Sequence, residues 1–404
     1  MRMNKKDKVA LVPKLRFSEF KNEDAWKEMN IGKYLKESRI KGSKGDTAKK
    51  LTVKLWGQGV FEKKEILKGS ENTQYFRRKS GQFIYSKLDF LNQAFGIVPN
   101  YLDGYESTVD LPCFDVSENL KVKFLLEYVQ RTNFYKKYGE MADGGRKAKR
   151  IQVDTFLEFP IYLPNLKEQQ KIADCLSSLD GLITAEDKKL EALKAHKKGL
   201  MQKLFPAEGE TVPEWRFPEF KGSGEWKIGP LNEVCENLDS RRIPIAEKDR
   251  KRGSTPYFGA SGIIDYVDGF IFDEILLCVS EDGANLVART YPIAFSISGK
   301  TWVNNHAHVL KFKNTYTQVL VESYLNSIDL GEFLTGMAQP KLNRAKLDII
   351  PVPLPDEKEQ QKIADCFSAL DTLITAQVEK IETLKLHKKG LMQGLFPSIE
   401  EGWA

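Results

Sequence analysis

The sequence predicts an α/β (α+β) chain of two globular mixed domains, joined by two long antiparallel coiled-coil helices with an internal pseudo-two-fold repeat. Three observations predict this. A stretch from Leu163 to Pro206 recurs from Leu354 to Pro397 with 32 of 44 positions identical. Both copies carry a heptad pattern of apolar residues. The edges of each half repeat while the middles do not. A period of about 190 residues is too long for a solenoid and indicates a duplicated domain.

The repeated stretch reads as a helix. Asn165 and Asp356 can cap it, and Glu168 and Glu359 follow three residues later, where a side chain can reach back to the cap N–H. Steps of four and three connect Ile172, Leu176, Leu179, Ile183, Leu190 and Leu193 in the first copy, ending at Leu200 and Leu204. The second copy has Ile363, Phe367, Leu370, Ile374, Ile381 and Leu384, ending at Leu391 and Leu395. Glu186 and Lys197, and at matching places Gln377 and Lys388, interrupt the pattern. A stripe this narrow is a coiled-coil seam, and it needs a partner. We expect the two helices to pair with each other, antiparallel, each about 58 Å long. Aspartate at both Ile172 and Ile363 is then expected to part them.

The domains expected are a basic tail 1–11, a head 12–162, a helix 163–206, a hinge 207–211, a second head 212–353, a second helix 354–397 and a tail 398–404. The heads open on a shared phrase, Val12-Pro-Lys-Leu-Arg16-Phe17 and Val212-Pro-Glu-Trp-Arg216-Phe217, followed by Trp26-Lys27 and Trp226-Lys227. Between these edges each head offers a polar basic loop (36–50 and 240–253). Strand-like runs follow (82–85 and 94–98; 262–267, 275–279 and 308–312). A helical segment comes next (near 118–138 and 317–334), then a basic turn, and a last strand through Ile161 or Val352.

The chain has 404 residues, 41% of them hydrophobic, a formal net charge of +6 and five cysteines. No apolar run is long enough to cross a membrane, and no Cys-x-x-Cys occurs, so reduced thiols in a cytoplasmic protein are expected. The mild positive charge permits an anionic partner. Ser298-Gly-Lys300-Thr301 lacks the earlier glycine of a phosphate-binding loop. No Pro-Pro pair is available for an amine-methylating motif, and Gly57-Gln-Gly59 and Gly259-Ala-Ser261-Gly262 read as turns. His306 and His308 share a strand face without a clear ligand cluster, so a structural role is expected rather than a metal. No catalytic, cofactor or metal residue is assigned.

Basic loops remain. In the first head they hold Arg39, Lys41 and Lys44, then Arg77 and Arg78 beside Tyr75 and Phe76, then Arg146, Lys147 and Lys149. In the second they hold Arg241, Arg242, Arg250 and Arg252, then Ser261, then Lys341, Asn343 and Arg344. Cations suit phosphates, and Arg, Asn and Ser suit base edges.

With Leu163-Pro-Asn-Leu-Lys-Glu168-Gln169-Gln170 and Leu354-Pro-Asp-Glu-Lys-Glu359-Gln360-Gln361, the helix ends Lys198–Phe205 and Lys389–Phe396, Tyr257–Tyr266 and Trp302–Leu310, the chain resembles the specificity subunits of type I restriction–modification systems. The resemblance covers nearly the whole chain. It implies a non-catalytic subunit whose two target-recognition domains each read one half of a bipartite, interrupted site in double-stranded DNA. The unlike heads imply an asymmetric target, and two complete heads imply that one chain suffices. The helices would set the spacing and dock two modification (methyltransferase) subunits carrying S-adenosylmethionine. Restriction (ATP-dependent translocase and nuclease) subunits would bring ATP and magnesium. Alternatives are a specificity subunit of another modification or phage-defence assembly, a coiled-coil scaffold without DNA, and a stand-alone methyltransferase or nuclease, which the missing motifs oppose.

Overall fold

A computed structural model of the chain describes residues 11–64, 69–140, 150–336 and 339–397. Two helices dominate it, Leu166–Leu204 and Glu357–Leu395, each of 39 residues. The chain divides into two compact units. One holds the residues up to Glu186 with those from Lys380 on, and the other is Asp187–Glu379. This division cuts across the expected helix domains, because each unit takes the start of one long helix and the end of the other. Within each unit the two helix segments run antiparallel.

Asn165 and Asp356 do cap: their Oδ1 atoms accept the N–H of Glu168 and Glu359 at 2.9 and 3.0 Å. The glutamates do not reach back, however, and are used elsewhere, as described below. All twenty seam positions are buried or half-buried, the polar ones included. The three charged interruptions make ion pairs between helices, and Gln377 is a neutral amide. Glu186 meets Lys380 at 2.6 Å and Lys388 meets Asp180 at 2.7 Å in the first unit; Lys197 meets Asp371 at 2.6 Å in the second. The seam ends merge with the head cores. Ile172 and Leu176 pack in one cluster with Leu395 and Phe396, while Ile363 and Phe367 pack with Leu204 and Phe205. Ile172 and Ile363 thus belong to different cores. Their double replacement damages two separate packing sites and does not test one pairing of helices.

The shared opening phrase of each half acts as a clasp. Arg16 makes a two-pronged bond to Glu168, with Nε at 2.8 Å and Nη2 at 2.7 Å. Its remaining donors hold the carbonyls of Glu23 and Asp24. One residue earlier, Leu15 N–H donates to Gly394 O at 2.8 Å. Two adjacent residues thereby tie the start of one long helix to the end of the other. The second unit repeats this: Arg216 grips Glu359 at 2.8 and 2.6 Å, and Trp215 N–H donates to Lys203 O at 2.9 Å. Trp26 and Trp226 back the clasps, edge-on to Phe396 and Phe205. The next residue of each helix joins it to the head. Gln169 accepts Lys121 N–H, and Gln360 accepts the Thr317 hydroxyl.

Both heads are built on the same four-stranded antiparallel sheet. In the first the order is Leu35–Glu37, Cys113–Val116, Phe83–Tyr85, Phe95–Ile97; in the second it is Cys235–Asn237, Ala307–Phe312, Leu276–Ser280, Ala294–Ile297. Alternation places successive side chains on opposite faces. Phe83 and Tyr85 therefore enter one cluster and Ile84 another, as Leu277 and Val279 part from Leu276 and Cys278. This explains why these strands read as continuous apolar runs. The closing strands Pro160–Leu163 and Pro351–Leu354 pair with Lys27–Asn30 and Lys227–Pro230.

The outer layers differ. The first head adds a sheet of Lys41–Lys44, Gln74–Arg77 and Glu106–Ser107, and a hairpin, Leu51–Lys54 with Gly59–Glu62. The second adds Gly262–Val267, Arg252–Gly259, Lys300–Val303 and Phe272–Asp273, including one parallel pair, Tyr257 with Trp302. Two expectations change here. The basic loop 36–50 contains a strand, and the segment near 118–138 is two helices, Val122–Val129 and Thr132–Gly139. All five cysteines are free.

Removing one partner of a buried ion pair costs roughly 3–5 kcal/mol. Glu359→Ala is accordingly expected to lower the melting temperature of the second unit by about 6–20 °C, read by calorimetry, while amide exchange in the first unit's sheet is unchanged. Glu168→Ala gives the mirror result.

Candidate nucleic-acid interface

In the first unit the outer sheet carries the cations. Lys41, Lys44 and Arg77 are exposed on neighbouring strands and form no ion pair among the described residues. The strand beneath them is fixed from inside. Buried Glu106 accepts the Ser43 N–H at 2.7 Å and its hydroxyl at 3.1 Å, and Gln74 Nε2 donates to the carbonyls of Gly42 and Ser43. Arg39 is 67% exposed and paired with Glu37. Arg78 is a correction: it is 2% exposed. Its guanidinium donates to the Ser107 hydroxyl and to the carbonyls of Ser38, Thr108 and Leu111, and so welds the outer sheet to the core. Burial pulls this group below its usual pKa. Arg146, Lys147 and Lys149 lie outside the described residues.

Sequence reasoning missed Trp56. It stands at the tip of the hairpin with φ +58 and 60% exposure. Trp56 N–H and Gly57 N–H donate to Asn92 O and Gln93 O at 2.7 and 3.0 Å. The backbone bonds hold this exposed indole in a fixed place at the hairpin tip. The signal was the Gly-Gln-Gly sequence next to it, read as a turn alone.

In the second unit most of the expected cations are neutralised. Arg241 pairs with Glu274, Arg250 with Asp265 and Arg344 with Asp348. Arg242 is the second correction. It pairs with Glu281 at 2.7 Å and Asp239 at 3.3 Å and donates to Ala307 O. Lys341 joins the same knot through Glu281 at 3.1 Å. Asn343, the third, caps helix Arg344–Asp348 by accepting Lys346 N–H. Arg252 is exposed and without an ion pair among the described residues, and Ser261 is exposed in the two-residue turn beyond the pair Gly259–Gly262. Beside them Ile263, Ile264 and Tyr266 are each about half exposed.

Three ligand-type groups converge at Asp239, Glu281 and His308. They do not suit a metal. His308 Nδ1 lies 2.6 Å from Asp239, its Nε2 lies 2.7 Å from Leu342 O, and both carboxylates already face Arg242. His306 takes a different acid, Asp282. The cluster is a buried ionic knot that fixes the basic turn 339–344 to the sheet.

The profile described as "Type I restriction modification DNA specificity domain" matches residues 30–195 and again 223–386. The chain belongs to that family. Among curated relatives, a putative type I restriction enzyme specificity subunit of Haemophilus influenzae is 36% identical over 149 residues, covering 37% of this chain and 38% of the relative. The MjaVIII type I specificity subunit of Methanocaldococcus jannaschii is 28% identical over 286 residues, covering 61% and 64%. These matches span less than two thirds of each relative's length. The crystal structure of the type I restriction–modification S subunit of M. genitalium superposes with a TM-score of 0.63 at 14% identity, covering 96% of this chain and all of that one. A second solved chain, from a study of type I complex assembly, gives 0.55 at 15% identity, with 92% and 98% covered. At such identities the likeness is one of fold. No helix among the described residues is long and apolar enough to cross a membrane.

Burial opposes the ionisation of Asp239 and Glu281, but His308 and Arg242 outweigh it and hold both carboxyls below their usual range. The stability they supply is complete above the ordinary carboxylate pKa and is lost as pH falls through the lower folded-state values. Acid denaturation of the second unit should steepen in that window. Asp239→Asn should flatten that limb while costing roughly 3 kcal/mol at neutral pH, both readable from urea melts across a pH series.

Proposed function

We propose that this chain is the non-catalytic DNA-specificity subunit of a type I restriction–modification complex. Each head reads one half of a bipartite, interrupted site in double-stranded DNA. The long helices set the spacing and dock two modification subunits, which hold S-adenosylmethionine and methylate adenine. Restriction subunits add ATP- and magnesium-dependent cleavage, and the assembly works in the cytoplasm. The observation that carries this reading is the contrast between a core sheet and clasp present in both units and outer layers that share nothing. Selection for two different half-sites on one support produces that pattern.

In the first head Lys41, Lys44 and Arg77 bind phosphates, and Trp56 meets the duplex with its ring, as aromatic and apolar wedges do. In the second, Arg252 and Ser261 lie at the DNA, beside an apolar strand suited to thymine methyls.

Replacing Lys41, Lys44 and Arg77 by Ala in the complex with the neighbouring modification subunit should weaken DNA binding and reduce the salt slope by about 0.9 for each phosphate that no longer meets a cation. Trp56→Ala should weaken binding with the slope unchanged. Fluorescence titration over a salt series reads both. A triple variant with unaltered affinity and slope would remove the first head's outer sheet from the interface.

A further inference from the structure

The first unit contains a cavity of about 1440 Å³ between the start of helix Thr132–Gly139, Lys14 and Leu15, and the last turns of the second long helix. Arg131 lines it, 7% exposed. Its guanidinium carbon lies 4.0 Å from the centre of the Tyr128 ring and 4.6 Å from that of Phe396. Nε donates to Tyr128 O at 3.2 Å. No carboxylate among the described residues pairs with it, so its desolvation is offset only by the two rings and the one carbonyl. Burial pulls the group below its usual pKa, opposed by the phenols of Tyr128 and Tyr138 alone. The helix that starts here has no side-chain cap; Phe134 N–H donates to Arg131 O at 2.8 Å, and Thr132 and Asn133 of the first turn line the same opening. Lys14, Lys136 and Lys389 are exposed around the mouth and form no ion pair among the described residues. Lys388 is already committed to Asp180 and Glu127.

The repeat shows that the fold does not require this cation. Tyr324 packs on Phe205 as Tyr128 packs on Phe396. Three residues on, Ser327 donates its hydroxyl to Tyr324 O at 2.8 Å, the bond that Arg131 Nε makes to Tyr128 O. The second unit thus fills the same position with a neutral serine.

We propose that this cavity docks an acidic segment of a partner protein, with a carboxylate received by the fork of Arg131. Arg binds carboxylates in a planar two-bond geometry, and burial strengthens the pairing. A peptide fits better than a nucleic acid. A guanidinium this deep is out of reach of phosphates on a duplex surface, and Leu15, Ile183 and Met392 offer apolar wall to peptide side chains. Among the described residues the site occurs in the first unit, and the second unit has Ser327 in the place of Arg131. It bears on how a partner docks, but it stands on the cavity alone and not on the DNA reading.

The test is fluorescence anisotropy of a labelled peptide of alternating Glu and Leu with the full chain at low salt. Saturable binding is expected. Arg131→Ser, which installs the repeat's own residue, should weaken it roughly tenfold or more. The surface changes Lys136→Ala and Lys389→Ala should each weaken it about threefold, and they keep the test valid if Arg131→Ser does not fold. Absence of saturable binding, or equal affinity in all variants, overturns the proposal. So does displacement of the peptide by inorganic phosphate or a short DNA duplex at equal charge concentration. Binding that emerges only in a chain ending at Pro397 would make the acidic residues 398–404 the occupant and would also overturn it. DNA binding measured on the same samples fails or succeeds separately.

Discussion

The buried pairing of Arg16 with Glu168, and of Arg216 with Glu359, is the interaction on which the rest depends. Caps and prolines set where each 39-residue helix ends, but a narrow apolar seam alone does not fix which way the helix faces. The clasp supplies that. It anchors the first turn of one long helix to the chain entering the head, and the adjacent backbone bond anchors the last turn of the other. Each arginine spends its donors on one carboxylate and two carbonyls, so the pair is well satisfied despite burial. A head can then vary in its outer layer, since its attachment uses residues at the edges alone.

This separation of support from surface explains the division of labour within each head. The sheet strands that feed two cores are apolar on both faces and cannot change much. The outer strands have one face in solvent, and there the two heads part company. A strand-borne lysine pair over a carboxylate-fixed backbone is one solution; an apolar strand beside a tight turn is the other. The ionic knot around Asp239 and the buried Arg78 do the same job by different means, holding the outer elements to the core with charged groups.

Much of this was legible in the sequence. The seam, including its polar interruptions, came directly from the spacing of apolar residues, and the three charged interruptions proved to be ion pairs. The apolar runs 82–85, 94–98 and 275–279 were strands because β-branched and aromatic residues between turn residues have few alternatives. What failed was long-range. Glu168 looked like a capping-box residue because its local geometry allows that bond, but an arginine 152 residues away offered a stronger one. Arg78 and Arg242 looked like surface cations because composition cannot show that a charge is buried beside carbonyls or acids. Trp56 was passed over because a turn explained the glycines and left the indole unconsidered. The boundary between units was not legible, since the same seam runs unbroken through both helices across it.

The account's central claim is that unlike heads on a repeated support specify unlike half-sites. The direct measurement is genome-wide mapping of adenine methylation after co-expression with the neighbouring modification subunit in a methylation-free host. The account predicts one interrupted motif with two different halves, and exchange of residues 30–150 for those of a relative should change one half and leave the other intact. A complex that assembles yet methylates no motif, or an exchange that alters both halves together, would contradict it.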